Sequence, residues 1–379
     1  MSELPAITIG GGLAGAVFAL ELARNGRPVI VLERASAPQH KVCGEFLSAE
    51  AQSLLQSCGL DLGLLRATTI SHACLVSEPY QAIFQLPFVA AGLSRFQLDQ
   101  ALLHAAERAG AIVVRGAAVL GIGLDANAVL VKTDAKVWSG SAIALATGKH
   151  SLRGFRRPSG RMVGFKMHLE SAAANMQLAK LVQLAFFRAG YMGACLVEGG
   201  TLSIAWVMRD DVLRNVGSSW RAQRDYLARQ SERVGDLLSG ARPLLAKPAA
   251  TASTAYGYLR KEPLEPRIFP VGDQLAVVPS FTGDGMAIAL DSGLAAARAV
   301  LAGEQAASYH RKVIPLLQRQ FRRAQVLGGL LETRIASPAI VAVAAYLPSL
   351  ATKMVAATRL HGFATAARET GARRRSQVG

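Results

Sequence analysis

Residues 6–33 constrain the fold of this chain more than any other part of the sequence. The apolar run Ala6–Ile9 ends at Gly10-Gly11-Gly12-Leu13-Ala14-Gly15, a Gly-x-Gly-x-x-Gly pattern, and helical periodicity then continues to Asn25-Gly26. Residues 28–32 are apolar and β-branched, which predicts a second buried strand, and this strand ends at Glu33. The order strand, glycine-rich turn, helix, strand and acid is typical of the first unit of a dinucleotide-binding fold.

Each part of this motif suits one part of a dinucleotide. Gly10 allows the tight turn, Gly12 lets the backbone approach a pyrophosphate, and Gly15 lets the helix pack closely on the strand. The helix N-terminus offers free N–H groups and partial positive charge to the phosphates. Glu33 is placed to accept hydrogen bonds from ribose hydroxyls and would repel a 2′-phosphate, so the motif favours FAD or NAD.

Two distant segments bear on the choice between FAD and NAD. Residues 93–99 open a helix with Ser94 as a plausible N-cap, and Arg95 in its first turn needs a compensating anion, either a phosphate or a carboxylate, unless it is a surface arginine. A strand over 268–271 ends in Gly272-Asp273, and the run 279–286 then leads into an Ala-rich helix. A helix N-terminus there suits the N1–C2=O edge of an isoalloxazine, with Asp273 as an acceptor for ribityl hydroxyls.

These motifs, in this order and with Ala146-Thr147-Gly148, resemble those of the FAD-dependent monooxygenase superfamily that includes the aromatic hydroxylases. Residues 41–48, Lys-Val-Cys-Gly-Glu-Phe-Leu-Ser, are similar to the corresponding segment of its geranylgeranyl-reductase-like branch. The resemblance implies a Rossmann-type FAD-binding domain. The residues that it implies contact FAD are Gly10, Gly12, Leu13, Ala14, Gly15, Glu33, Arg34, Lys41, Cys43, Gly44, Arg95, Val119, Thr147, Gly148, Gly272, Asp273, Pro279, Gly283, Gly285 and Met286.

The resemblance also shapes the expected reaction. Residues 147–153 lack the Asp-Gly pair that helps hydroxylases of the superfamily to place NAD(P)H, so either NAD(P)H or a partner reductase is expected to supply electrons. Trp206 stands without the second tryptophan of the halogenase motif, which argues against halogenation. We expect a monooxygenase that hydroxylates or epoxidises a lipophilic or aromatic biosynthetic intermediate. The alternative is a reductase or dehydrogenase acting on a C=C or C–C bond of a lipid-like (geranylgeranyl-type) substrate. For either reaction the catalytic residues stay unassigned, and Cys43 is a candidate that would equally suit a small buried position without a function.

The predicted fold is α/β, with the FAD-binding domain interleaved with a mixed β-sheet substrate domain and followed by C-terminal helices. The FAD-binding domain is expected over 1–70, 91–158 and 263–303, the substrate domain over 71–90 and 159–262, and the helices over 304–379. Five apolar residues of the substrate domain are candidates for lining a substrate chamber, although ordinary core is the more common role for each: Phe186, Phe187, Tyr191, Met192 and Trp206.

Charge and cysteine content narrow the remaining alternatives. The net charge is +16, but the basic residues are dispersed, which argues against nucleic-acid binding. The four cysteines show no metal-ligand spacing, so we expect no metal site. We expect a cytoplasmic protein, since residues 1–9 lack a secretory pattern. The basic C-terminal helices could cap the substrate chamber or touch a membrane surface or a carrier protein, and the oligomeric state stays open.

Overall fold

The computed structural model describes residues 3–331, 336–357 and 359. Its helices, in chain order, are α1 (Leu13–Arg24), α2 (Ala49–Ser57), α3 (Arg95–Arg108), α4 (Ala172–Gln177), α5 (Asp210–Val216), α6 (Trp220–Ala228), α7 (Glu232–Leu238), α8 (Gly285–Leu301), α9 (Ala306–Leu331), α10 (Ala336–Tyr346) and α11 (Pro348–Ala357). Its strands are β1 (Ala6–Ile9), β2 (Val29–Glu33), β3 (Phe46–Leu47), β4 (Thr68–Ser77), β5 (Tyr80–Gly92), β6 (Ile112–Arg115), β7 (Val119–Leu124), β8 (Val129–Thr133), β9 (Val137–Gly140), β10 (Ile143–Leu145), β11 (Met162–Glu170), β12 (Leu181–Phe187), β13 (Gly190–Val197), β14 (Thr201–Arg209), β15 (Arg242–Pro243), β16 (Ala249–Thr254), β17 (Tyr258–Leu259), β18 (Ile268–Pro270) and β19 (Ala276–Val277).

A parallel five-stranded sheet forms the centre of the first half of the fold, with strand order β18-β10-β1-β2-β6. Helices α1, α3 and α8 share one hydrophobic core with this sheet, and the antiparallel β7-β8-β9 meander packs its own apolar residues against the other face. Helix α8 approaches α1 very closely at Gly293, where an added Cβ would lie 2.3 Å from the Ala14 carbonyl oxygen. This arrangement places the N-termini of α1 and α8 at the same edge of the sheet, beyond the carboxyl ends of the strands.

A second, mixed sheet of nine strands covers that edge. Its order is β15-β11-β14-β13-β12-β4-β5-β3, and β16 adds to β11. The pairing is antiparallel except between β12 and β4. Residues of α6 and α7 pack on one face of this sheet, whereas residues of α10 and α11 pack on the other. The predicted α/β fold with a second mixed sheet and C-terminal helices is confirmed.

The boundary between the two sheets differs in detail from the predicted ranges. Residues 46–47 and 68–70 fall in the range predicted for the FAD-binding domain, yet they pair with the long strand β5 in the second sheet. The reason is that β5 extends to Gly92, so its partners are drawn into the same sheet. Residues 210–238 are helical rather than part of a sheet. The expectation for residues 360–379 lies outside the described residues.

Helices α10 and α11 are short, apolar and sharply bent at Leu347, by 115°. Within the part of the chain that the structure describes, no single helix has the length and composition to cross a bilayer, while these two taken together do.

Candidate functional site

The glycine-rich loop between β1 and α1 forms an open cradle lined by cations. A Cβ on Gly10 would lie 2.4 Å from the Ala146 carbonyl oxygen, and one on Gly15 would lie 2.0 Å from that of Gly10, so neither position accepts a side chain. A Cβ on Gly12 would meet only the Arg95 and Lys41 side-chain nitrogens, each at 3.6 Å. No side chain among the described residues caps the N-terminus of α1. The loop therefore presents N–H groups and two cations to a shared space, as a pyrophosphate requires.

Asp99 holds those two cations in place. Its carboxylate accepts hydrogen bonds from Arg95 at 2.6 and 3.0 Å and pairs with Lys41 at 2.9 Å. Burial opposes the charge of Asp99, but the nearby Arg95 and Lys41 outweigh it and hold its pKa below the usual value. The compensating anion expected for Arg95 is thus a carboxylate one helical turn away. One positive charge remains uncompensated in the group, and it faces Gly12.

Glu33 ends β2 beside the same loop. Its Oε2 accepts a hydrogen bond from Gly11 N at 2.7 Å, and its Oε1 accepts one from Ala35 N at 2.8 Å. Both oxygens retain a free lone-pair direction for ribose hydroxyls. The carboxylate therefore lies where the ADP half of a dinucleotide requires it, and it also stabilises the loop.

The N-terminus of α8 forms the opposite part of the cofactor site. Gly283, with φ 73°, ends a short 3₁₀ turn over Ser280–Thr282, and Gly285 begins the helix. A Cβ added to Gly272, which has φ 57°, would lie 3.2 Å from Ala14 Cβ of α1 and 3.6 Å from Ala289 Cβ of α8, and the Gly272 N–H donates to Ser292 Oγ at 2.8 Å. These contacts place residues 272–273 between α1 and α8, where a cofactor spanning the two helices would pass.

Gln274 links these segments, although no sequence motif marks it. Its buried Nε2 donates to Thr147 Oγ1 at 2.7 Å and to the carbonyls of Gly148 and His150 at 2.9 Å each. It thereby ties the 147–150 turn to the Gly272–Gln274 turn.

The other residues implied to contact FAD lie at several places around the site. Leu13, Ala14 and Met286 are buried in the first turns of α1 and α8, and Pro279 precedes the Ser280–Thr282 turn. Arg34 lies within hydrogen-bond distance of His150 Nε2, at 3.1 Å. Val119 lies at the start of the β7-β8-β9 meander rather than on the parallel sheet.

A cavity of about 450 Å³ opens from the flavin side of the site. Val42, Cys43 and Gly44 line it at one end together with residues 280–283, while apolar residues of the second sheet and of α10 and α11 line the rest. Six of its lining residues carry a charged group or a hydroxyl: Lys149, Tyr191, Tyr256, Ser280, Thr282 and Arg359. Its size and lining suit an elongated apolar ligand.

Strand alternation explains which aromatic candidates reach the cavity. Trp206 borders it, yet this residue is paired with Met192 in the sheet and its Nε1 donates to Gln223 Oε1 of α6 at 3.0 Å, so its ring lies in the core on the opposite face. Phe186 and Tyr191 line the cavity, but Phe187 and Met192 do not. Those two are neighbours in sequence of Phe186 and Tyr191 and point to the opposite face of the sheet, into the core beneath α6 and α7. Of the five candidates, Phe187 and Met192 are therefore ordinary core residues, the role that the sequence favoured for each.

Behind the Cys43–Gly44 wall lies a buried charged cluster, which we define as Glu45, Lys166 and His168. Glu45 Oε2 contacts Lys166 Nζ and lies 2.7 Å from His168 Nε2, while Glu45 Oε1 accepts a hydrogen bond from Arg95 N at 2.8 Å. Lys166 and Glu45 are completely buried. Lys166 also donates to Ser203 Oγ at 3.0 Å and to the Cys43 carbonyl at 3.4 Å. The cluster therefore joins the second sheet to the segment that lines both cavity and cofactor site.

Burial alone would raise the pKa of Glu45. Lys166 and the hydrogen bond from His168 reverse that effect and bring the pKa to about 2, so Glu45 is a carboxylate at neutral pH. Burial, together with His168, lowers the pKa of His40, whose ring lies 4.8 Å from that of His168. The sequence motifs did not indicate this cluster, because Glu45 and Lys166 are separated by 121 residues and meet only in the folded chain.

FAD fits the residues present. The cradle at Gly12 has space for a pyrophosphate between an uncapped helix N-terminus and two cations, and Gly283 and Gly285 carry no side chain at the N-terminus of α8. Gly12, Arg95 and Lys41 would hold the phosphates, Glu33 the adenosine ribose, and the N-terminus of α8 the isoalloxazine.

A family match agrees with this cofactor, and the chain is also similar to proteins of known name. Residues 3–137 match the family described as FAD binding domain. The chain is 24% identical to menaquinone reductase of Mycolicibacterium smegmatis over 348 residues, which cover 84% of this chain and 81% of that one. It is 27% identical to menaquinone reductase of Mycobacterium tuberculosis over 179 residues, covering 44% of this chain and 41% of that one, so this match spans less than half of the relative's length.

Solved structures give the same fold. The flavin-dependent brominase Bmp2 superposes with a TM-score of 0.78 at 14% identity, and the match covers 100% of both chains. At this identity the similarity concerns the fold alone. Motifs, family match and fold agree: the chain carries an FAD-binding domain and resembles FAD-dependent oxidoreductases.

Proposed function

We propose that the protein is an FAD-dependent reductase that transfers hydride to a C=C bond of a lipid-like isoprenoid substrate, such as the prenyl chain of a quinone. The single observation that carries this proposal is the apolar cavity that begins at the flavin side of the site and extends between the second sheet and α10–α11. Two relatives are named menaquinone reductase, which supports a substrate that joins a ring to an isoprenoid chain.

The cavity would bind and orient the chain. Leu75, Phe84 and Leu184 of the second sheet face Ile340 and Val355 of the C-terminal helices across it. Apolar walls on both sides exclude water and leave an isoprenoid chain in an extended path toward Cys43 and Gly283. FAD, when bound, supplies the hydride.

A proton must accompany the hydride, and two groups in the cavity wall can provide it. Cys43 lines the cavity, and its Sγ accepts a hydrogen bond from Glu45 N at 3.4 Å. Tyr191, Ser280 and Tyr256 form a chain of hydroxyl contacts at the same end, with Ser280 Oγ 3.0 Å from Tyr256 Oη. Cys43 lies beside the segment that the cofactor would contact, so we propose Cys43 as the proton donor.

The test is product analysis with chemically reduced protein, which removes the need to know whether NAD(P)H or a partner reductase supplies electrons. The probe is a naphthoquinone with a short prenyl chain, offered without oxygen and, separately, with ¹⁸O₂. A reductase gives, without oxygen, a product whose prenyl chain carries two added hydrogens. Air oxidation before the analysis returns any ring hydroquinone to the quinone, so reduction of the ring alone is not counted. Incorporation of ¹⁸O, with no anaerobic product, contradicts the proposal and supports the monooxygenase expected from the sequence.

A variant with a large side chain in the cavity tests whether the cavity binds the substrate. Ala205 lies on β14 and lines the cavity, so Ala205→Phe places a ring in the space proposed for the chain. We expect this variant to retain FAD and lose reduction of the prenylated quinone. Unchanged turnover by a folded variant would remove the cavity from the substrate path.

We further propose that the substrate enters from a lipid surface at the bend between α10 and α11. Tyr346 is 82% exposed and Leu347 52% exposed at the bend, and Leu350 and Met354 line the cavity while remaining more than 40% exposed. The net charge of +16 favours anionic lipids. Flotation with phosphatidylglycerol vesicles should recover the protein, and the double variant Tyr346→Asp and Leu347→Asp should stay unbound. Equal recovery of both would contradict entry at this bend.

A further inference from the structure

Arg359 brings a nearly buried guanidinium to the wall of the apolar cavity. Its side chain is 10% exposed. Nη2 donates to the Thr282 carbonyl at 2.5 Å and lies 2.7 Å from Asp284 Oδ1, and the group lies 5.1 Å from the ring of Phe88. Nε and Nη1 are buried and have no hydrogen-bond partner among the described residues. Arg359 thus presents unused N–H donors next to a cavity whose other walls are apolar.

Unpaired buried donors are costly, so donors at a cavity wall point to an acceptor on the ligand. The other polar groups of the lining have partners within the protein. Lys149 Nζ donates to the Val42 carbonyl at 3.4 Å, and Tyr191, Ser280 and Tyr256 contact one another. Arg359 is therefore the best-placed group of the described lining to select a ligand by its oxygen atoms.

The charge of Asp284 determines whether the ligand oxygen that Arg359 binds is neutral or negatively charged. Asp284 is 1% exposed and pairs with Arg359, so the pair carries no net charge. An added carboxylate or phosphate beside Arg359 would meet the charge of Asp284, because the positive charge of Arg359 is already paired with it. A neutral carbonyl oxygen accepts the free N–H groups without that cost.

We propose that Arg359 is a specificity-determining residue that binds a carbonyl oxygen of a neutral lipid, with Nε and Nη1 as donors. The inference rests on the proposed function and narrows its substrate class to isoprenoid lipids that bear a ring carbonyl. Thr282 and Asp284 flank Gly283 at the flavin side, so the carbonyl end lies toward the cofactor and the chain extends toward α10 and α11.

The test compares the binding of two probes to oxidised holoprotein by titration calorimetry. One is a prenylated 1,4-naphthoquinone, and the other is the same prenylated naphthalene without the two oxygens. The wild-type protein should prefer the quinone about tenfold to a hundredfold, as expected for hydrogen bonds from a charged donor. Arg359→Met keeps an apolar stem and should lose this preference while still binding the naphthalene. Lys149→Met is the matched control and should keep it.

A second variant guards against an effect of leaving Asp284 buried without its partner. The double variant Arg359→Met and Asp284→Asn removes both charges and should also lose the preference. The inference is overturned if Arg359→Met keeps the preference for the quinone, or if a prenyl carboxylate binds the wild type more tightly than the quinone. Release of FAD from Arg359→Met would also overturn it, because the free donors would then belong to the cofactor site. Binding of the quinone through Arg359 without its reduction would contradict the proposed function and leave the binding inference standing.

Discussion

Replacing Lys166 by methionine should destabilise the protein strongly, because it leaves the carboxylate of Glu45 buried without a counter-ion. Both side chains are completely buried, and the pair joins β11 to the segment that carries Cys43. Removing one partner of a buried ion pair costs about 3–5 kcal/mol. The pKa of Glu45, about 2 against an ordinary 4.5, gives an independent value of about 3 kcal/mol for its charged form. We therefore expect a loss of about 3–5 kcal/mol at pH 7 for Lys166→Met.

The ionisation of Glu45 predicts how the stability loss of Lys166→Met changes with pH. In the wild type the pKa of Glu45 is depressed, so its contribution is present above pH 4.5 and is lost as the pH falls toward 2. In Lys166→Met, burial without Lys166 raises the pKa of Glu45 above its unfolded value. The loss of folding free energy caused by the buried unpaired carboxylate is then complete at neutral pH, and it becomes smaller as Glu45 takes up a proton. The stability difference between variant and wild type should be smaller at pH 5 than at pH 7.

The assay is guanidinium unfolding of the FAD-loaded protein, followed by circular dichroism at both pH values. The double variant Glu45→Gln and Lys166→Met is the matched control, because a glutamine in place of Glu45 would keep an oxygen for Arg95 N without the charge. It should be more stable than Lys166→Met alone. A loss below about 1 kcal/mol for Lys166→Met, or a loss that does not change between pH 7 and pH 5, would refute the reasoning.

Three further predictions concern the cofactor site. Gly12→Val should fold but bind no FAD, since its side chain would occupy the pyrophosphate space. Gly15→Val should fail to fold, because its Cβ meets the Gly10 carbonyl. Visible absorbance measures bound FAD and circular dichroism measures folding, and an FAD-bound Gly12→Val variant would contradict this geometry. Asp273→Ala should weaken FAD binding about tenfold to a hundredfold with the fold intact, and unchanged affinity in equilibrium dialysis would remove Asp273 from the site. Cys43→Ala should keep FAD and slow product formation, with a turnover equal to wild type contradicting its role as proton donor.

Local patterns were enough to predict the parallel sheet and the location of the nucleotide loop. Strand β1, the glycine turn, the N-terminus of α1 and the acid that ends β2 all lie within about thirty residues. Because these parts are local in sequence, the glycine spacing at 10–15 was enough to predict their arrangement. Ser94 as the N-cap of α3 is confirmed by its side chain, which accepts a hydrogen bond from Gln97 N at 3.1 Å. The sequence also indicated that Arg95 needs an anion, and Asp99 supplies it at the spacing of one helical turn.

Nonlocal contacts could not be predicted in the same way. Glu45, Lys166 and His168 meet because β11 enters the second sheet beside the 40–45 segment, and nothing in the periodicity of either segment indicates that pairing. Arg359 comes from the C-terminal helical region and Asp284 from the start of α8, and neither position has a motif that links them. Gln274 is a neutral residue whose role is visible only in the three oxygen atoms that surround it.

Reduction of a lipid-like substrate held in the apolar cavity is the reaction that we propose for this flavoprotein. The most direct measurement is rapid mixing of the photoreduced protein with a prenylated 1,4-naphthoquinone in the absence of oxygen, with the visible flavin band followed over time. We expect the band to return at a rate that saturates with quinone concentration and is lost in Ala205→Phe. The return should be matched by formation of a product with two added hydrogens on the prenyl chain. A flavin that stays reduced until oxygen is admitted, or a prenyl chain that leaves unchanged, would contradict it.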